Sequence, residues 1–292
     1  MALDAPKMET WSWPTEERED KMIGLEDFHE DILGKAMRGL SIGKNEMAKR
    51  LGVEKLLVDK ILNGAVDTVL INAMATELKL DAGKLIQSAR QAWSPDPVQL
   101  KGLKQFNTSY GDMLVNAYVL WEDDSRKAWV FDTGTDAEPI LQFLSERNLE
   151  VDAIFLTHTH RDHIDCLDRL RDQTGSQQVY VHKLELLAGC EAVEEGFEYS
   201  VDSLSLKVKH THGHSVGGVT YIIKGLATQV AVVGDAIFAG SMGGGMISYE
   251  DALQNNRDKI MTLAAETVVC PGHGPITTVK WEKERNPFFP EF

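Results

Sequence analysis

The chain has 292 residues, 43% of them hydrophobic and 26% charged, which is material for a real core across two domains and excludes a mainly disordered protein. A formal net charge of −15 argues against a general nucleic-acid binder, and three cysteines without CxxC spacing, Cys166, Cys190 and Cys270, argue against a disulfide framework or a zinc finger. The opening MALDAPKMETWSWPTEERED lacks the apolar run of a signal peptide and no stretch of about eighteen apolar residues marks a membrane span, so a cytoplasmic protein with no membrane partner is expected.

The charge is unevenly spread: −7 over residues 1–34, +4 over residues 35–92 and −12 over the remainder. Residues 1–33 read as an acidic N-terminal segment. From residue 34 to 94 apolar residues recur at helical spacing, with glycines punctuating short segments, and a compact bundle of short helices is predicted. SPDP, at residues 94–97, is a turn or linker signal. Beyond it come strand-like runs, MLVNAYVLW, KAWVFDTG, VDAIFLTH, QVYVH, GVTYII, TQVAVVGD and TVVCPGHG, interleaved with amphipathic stretches such as AEPILQFLSERNL and SYEDALQNNRDKIMTL. Residues 98–292 therefore read as a second, α/β domain.

Within it, LTHTHRDHID places His158, His160, Asp162 and His163 in six consecutive positions. VDAIFLT reads as a buried strand and CLDRLRDQTG as the start of a helix, so the cluster sits on a strand-to-helix loop. Side chains alternate along an extended segment, so His158 and His160 share a side and can chelate one ion. A turn at Arg161 would aim Asp162 and His163 at a second ion. Crowding these groups together without a cation would cost several kcal/mol in desolvation and repulsion, so metal binding is the better reading.

Further ligand types occupy strand ends downstream. HTHGHSVGG carries His210, His212 and His214, AVVGDAIF carries Asp235, and VVCPGHGP carries His273. His182, in VYVHK, reads as a histidine at a sheet edge with a weak claim on the pocket, and His29 as an ordinary surface residue. The glycine run from Phe238 to Asp251 reads as a mobile loop near Asp235, either touching substrate or linking to the next helix.

His158, His160, Asp162, His163, His214, Asp235 and His273, in that order and with those flanks, resemble the HxHxDH signature and accompanying ligands of the metallo-β-lactamase-fold hydrolase superfamily. VNAYVLWEDDSRKAWVFDTG, with Asn116, Tyr118 and Asp132, resembles its opening strands, and GHGPITTVKWEKERNPFF resembles the close of glyoxalase II-like members. The resemblance covers residues 98–292 and implies an αββα sandwich, here preceded by a small all-α domain. It assigns His158, His160 and His214 to a first metal, Asp162, His163 and His273 to a second, and Asp235 as the bridge between them. It prefers His214, which follows glycine, over His212, leaves His210 and His212 as loop residues, and gives Asp132 the task of orienting the ligand loop.

Two divalent ions so held can lower the pKa of a bridging water from ~15.7 to about 7 and polarise a carbonyl, with Asp162 orienting the nucleophile or shuttling a proton. The resemblance thus implies a dinuclear hydrolase of small thioesters, esters or lactones. Imidazole and carboxylate ligands make zinc the default metal, with iron or manganese equally compatible. The superfamily also contains mononuclear iron sulfur dioxygenases with this motif. The glutathione-binding C-terminal helices of glyoxalase II-like members have no counterpart after His273, so a differently completed pocket is expected.

In the basic block, MAKRLGVEKLLVDKILNGAVDTVLINAMATELKLDAGKLI resembles the helix-turn-helix of the lambda-repressor-like family, with Met47 to Leu51 as its first helix, Gly52 at the turn and Glu54 to Leu62 as its second. A DNA reader would use Lys44, Lys49, Arg50, Lys55 and Lys60 on phosphates, and the protein would then be a regulator whose second domain senses a metabolite. Glu54, Lys55, Leu56 and Leu57 are poor base-reading side chains, so packing against the second domain or homodimerisation is the favoured role.

Overall fold

The computed structural model describes residues 23–122 and 124–292; of the acidic segment expected at residues 1–33, positions 1–22 lie outside them, and the first helix begins within its remainder, at His29. Five helices come first, α1 (His29–Gly39), α2 (Lys44–Leu51), α3 (Lys55–Ile61), α4 (Thr68–Leu78) and α5 (Ala82–Ala89). The turn between α2 and α3 is made by Gly52 at φ 66°, a left-handed conformation that costs glycine little. Asp67 and Asp81 cap α4 and α5 through their side chains.

Two six-stranded sheets follow. The first holds β1 (Leu103–Tyr110), β2 (Met113–Trp121), β3 (Lys127–Phe131), β4 (Glu150–Phe155), β5 (Val179–His182) and β6 (Glu191–Val193), side by side in chain order. The second holds β7 (Glu198–Val201), β8 (Leu204–His210), β9 (Val219–Lys224), β10 (Val230–Gly234), β11 (Val268–Pro271) and β12 (Thr277–Thr278). The parallel pairs β3 with β4 and β4 with β5 require crossovers, supplied by α6 (Glu138–Glu146) and by α7 (Arg161–Ile164) with α8 (Leu167–Thr174).

Period-two alternation sorts the side chains into layers. Trp129, Phe131 and Phe155 point inward and meet Tyr221, Ile223 and Val232 of the facing sheet, while Val130 and Ile154 point outward under α6 and α8. Phe155 stacks on Phe131 and on Tyr180, with ring centroids 5.3 and 5.2 Å apart. Each large side chain so buried contributes about 1.5–3 kcal/mol.

The outer face of the second sheet, through Ile222, Ala231, Val233 and Val269, shares one apolar cluster with α9 (Tyr249–Asn255), α10 (Val279–Arg285) and the helical block. Ile32, Leu33, Ile71 and Met74 belong to that cluster. Polar ties reinforce it: the Lys84 ammonium donates to the carbonyls of Lys283, Phe289 and Phe292 at 2.8, 2.9 and 3.2 Å. The αββα sandwich is therefore present, with the N-terminal helices built into one of its helical layers.

Two histidines differ from their sequence reading. His29 is buried, its ring against the Ala65 carbonyl at 3.1 Å and Glu30 at 2.8 Å, because α1 lies beneath the loop that leads to α4. His182 is also buried, since β5 lies between β4 and β6 and is not an edge strand. Among the described residues no helix is long and apolar enough to cross a membrane.

Candidate metal centre

The predicted ligands all emerge from strand ends on one rim of the sandwich. β4 leads through Leu156 and Thr157 to His158 and His160, and α7 then turns Asp162 and His163 back toward them. The loop after β8 brings His214, the end of β10 brings Asp235, and the end of β11 brings His273. A ligand atom from each of His158, His160, His214 and Asp235 falls within one 4.8 Å group, and one from each of Asp162, His163 and His273 within another.

Asp235 stands between the groups. Its Oδ2 lies 3.2 Å from His214 Nε2 and 3.5 Å from His273 Nε2, while Oδ1 lies 3.4 Å from His163 Nε2. His160 Nδ1 sits 3.0 Å from both His158 Nε2 and His214 Nε2. Asp162 Oδ2 is 3.4 Å from His273 Nε2 and 3.6 Å from His163 Nε2. This closeness needs Gly272: a Cβ there would come within 2.1 Å of Asp235 Oδ1 and 2.7 Å of His163 Cε1.

The far side of most rings is tied down, which fixes tautomer and orientation. Asp132 accepts from His163 Nδ1 at 2.9 Å, from the Thr157 backbone N–H at 2.7 Å and from the Thr157 hydroxyl at 2.8 Å. Thr157 Oγ1 in turn lies 3.0 Å from His158 Nδ1. His214 Nδ1 faces the Gly244 carbonyl at 2.9 Å and His273 Nδ1 faces the Leu114 carbonyl at 2.7 Å. Four imidazoles thereby turn Nε2 toward the centre, and His160 turns Nδ1.

The electrostatics are those of a site built for positive charge. Burial would raise Asp235, yet His273, His163 and His214 hold its carboxyl well below the usual range. Burial likewise opposes charge on His163 and His273, but Asp235 with Asp132 holds the first up at about 10, and Asp235 with Asp162 holds the second up at about 11. His158 moves down through its own burial and the neighbouring His163. Two buried atoms of the site, His163 Nε2 and Asp235 Oδ1, have no hydrogen-bond partner among the described residues. A divalent cation satisfies both and replaces protons as the counter-charge, so this donor set fits metal.

Other residues take part that sequence reading left without a role. Asn116 donates to the carbonyls of Pro271 and Gly274 at 2.9 and 2.8 Å, and the Tyr118 hydroxyl donates to Pro271 at 2.7 Å, together fixing the turn that carries His273. Glu185 accepts from the backbone N–H groups of Thr159 and Gly217 at 2.8 and 2.9 Å, clamping two ligand loops together. No local signal in KLELL marks it, because its partners are distant backbone groups.

The glycine run begins packed against the site, near Asp235 as expected. A Cβ on Gly243 would meet the Asp235 carbonyl at 1.9 Å, and Gly244 supplies the acceptor for His214. His210 and His212 stay outside both ligand groups: His210 stacks on His182 at 4.1 Å and His212 lies 3.9 Å from Asp251.

Residues 110–273, more than half the chain, match the family model described as the metallo-beta-lactamase superfamily. The chain is 33% identical over 208 residues to a probable metallo-hydrolase, YqgX, of Bacillus subtilis, covering 62% of this chain and 95% of that protein. It is 26% identical over 197 residues to the hydroxyacylglutathione hydrolase GloC of Haemophilus influenzae, covering 59% and 92%. Among solved structures, BLEG-1 B3 metallo-beta-lactamase aligns with a TM-score of 0.55 at 32% identity over 64% of this chain and 99% of that one. TTHA1623 in a di-iron-bound form aligns with a TM-score of 0.52 at 27% identity over 63% and 99%. The chain belongs to the metallo-beta-lactamase superfamily, a metal-dependent group whose members similar to this chain include hydrolases.

Proposed function

We propose that the protein is a dinuclear metallohydrolase that cleaves a small thioester, ester or lactone. The observation that carries this reading is the position of Asp235, one oxygen toward His214 and His273 and the other toward His163, between two complete ligand groups. His158, His160 and His214 would hold one ion and Asp162, His163 and His273 the other, with Asp235 placed to serve both. When bound, two such ions supply a water acidified to about pKa 7 and a Lewis acid for the substrate carbonyl.

The chain's own groups do the rest. Asp162, held ionised by His273 and His163 against its burial, orients the attacking water and carries a proton toward the leaving group. Asp132 and Glu185 keep the ligand loops still, so the geometry is set before substrate arrives. The kinship with a hydroxyacylglutathione hydrolase supports a thioester, and the di-iron form of a related structure supports a two-ion site in which iron is an alternative to zinc. The alternative reading, a mononuclear iron dioxygenase, would bind one ion at the same ligand residues.

For the helical block, we infer packing rather than DNA reading. Lys44 and Lys55 are paired with Asp59 at 2.9 and 4.0 Å, and Arg50 with Glu46 at 3.0 Å, so three cations suited to phosphates are already partnered. Glu54, Lys55, Leu56 and Leu57 form the exposed start of α3. Hydrolysis of a thioester, ester and lactone panel by the metal-loaded chain, abolished in His160→Ala, tests the enzyme reading. One iron per chain without any turnover would replace it by the dioxygenase reading.

A further inference from the structure

The helical block reaches the metal pocket through the segment that precedes α1. Asp27, buried there, accepts from the Ser241 hydroxyl at 2.6 Å and pairs with Lys35, whose ammonium also donates to the Met242 carbonyl at 2.9 Å. Lys35 sits 4.8 Å from the centre of the Phe238 ring, and Phe238 packs edge-on against His273 at 5.5 Å. The backbone of Glu26 lies against Gly274, next to that histidine: a Cβ added to the glycine would be 3.2 Å from the Glu26 nitrogen.

Asp27 spends its charge on Lys35, whereas Glu26 forms no hydrogen bond or ion pair among the described residues. Glu26 is half-buried, and its Cβ would lie 3.4 Å from a Cβ added to Gly274, the residue after His273, which sets it beside the metal pocket. The loops that position the ligands also carry exposed apolar side chains. Leu114, whose carbonyl accepts from His273, is exposed, as are Leu184 and Leu186 on either side of Glu185, and Met246 and Ile247, which follow Gly245 next to the Gly244 that holds His214. Large apolar side chains left in water on several loops that position metal ligands are what a pocket for apolar ligands presents.

We propose that Glu26 and this apolar rim select uncharged, apolar acyl substrates and disfavour carboxylate-bearing ones such as glutathione thioesters. The proposal rests on the hydrolase reading and names the substrate class of that same site. An unpaired carboxylate near the bound carbonyl repels an anionic substrate, an effect on the order of tenfold for one partly screened charge.

Thiols binding to the cobalt-loaded full-length chain, followed by the thiolate-to-cobalt absorption band, give a readout that does not need turnover. The wild type should bind benzyl mercaptan about tenfold or more tightly than mercaptoacetate, the scale of one screened charge with added apolar contact. Glu26→Gln should tighten mercaptoacetate several-fold and leave benzyl mercaptan unchanged, Glu26→Asp should keep the wild-type ratio, and Met246→Ser should weaken benzyl mercaptan alone. An unchanged mercaptoacetate affinity in Glu26→Gln overturns the selectivity proposal while the metal reading stands. Absence of any thiolate band in the wild type overturns the metal reading and the proposal with it.

Discussion

Asp132 holds His163 by a 2.9 Å hydrogen bond and, through Thr157, reaches His158, so one buried carboxylate orients a ligand in each of the two groups. It does so at φ 53°, a left-handed conformation that asparagine also tolerates. Asp132→Asn should therefore preserve the fold while its amide fails to accept from His163 as the carboxylate does. Metal affinity, measured by competition with a chromophoric chelator, should fall about 10–100-fold. An affinity equal to the wild type would remove Asp132 from the orienting role.

Gly272 offers a steric test of the same centre. In Gly272→Ala the new methyl would press on Asp235 and His163, both ligand candidates, without touching the aromatic core. Turnover should drop by about a hundredfold or more, as misplacement of reacting groups by an ångström does. The thermal midpoint of the chelated protein should move by only a few degrees.

Metal loading should release protons. In the metal-free protein the carboxylates hold His163 up at about 10 and His273 up at about 11, so both rings are protonated at neutral pH. Metal must displace those protons, and affinity should rise with pH through the neutral range. Calorimetric titration in buffers of differing ionisation enthalpy should count about two protons released. The sign for stability follows: both pKa values lie above the unfolded value of 6.5, so their contribution to the chelated protein is complete below pH 6.5 and is lost as pH rises toward about 10 to 11.

Glu282 provides a second pH signature, away from the metal. Burial pushes its carboxyl up to about 7, offset in part by hydrogen bonds from Asn286, Thr277 and the Gly240 backbone. The folded state therefore binds the proton more tightly than the unfolded chain, whose value is 4.5. Stability should decline as pH rises from 4.5 to about 7, by about 3 kcal/mol, and level off above. Urea midpoints across that range should show the decline in the wild type and lose it in Glu282→Gln.

Much of the site was legible because its ligands sit in local motifs. HTHRDH announces four residues within six positions, and Asp235 and His273 each follow an apolar strand run, so convergence at strand ends is visible in the sequence. What escaped depends on contacts between distant segments. Glu185 is one charged residue on a short helical turn until Thr159 and Gly217 are placed beside it. The same holds for Asp27 and Lys35, which act on the glycine loop more than 200 positions away in the chain. Strands β1 and β8 carry no comparable signal: LKQFNTSY and LSLKVKH mix polar and apolar residues, and pairing with β2 and β9 decides their conformation. The helical block was visible as a composition change, whereas its shared core with the second sheet depends on which apolar faces meet.

The most direct test of the central claim is metal stoichiometry, by elemental analysis of the full-length chain purified without added metal and then loaded to saturation, with Asp235→Ala alongside. A dinuclear centre bridged by Asp235 requires two ions per chain in the wild type and fewer in the variant. A wild-type chain that saturates at one ion, or that keeps both in Asp235→Ala, would contradict it.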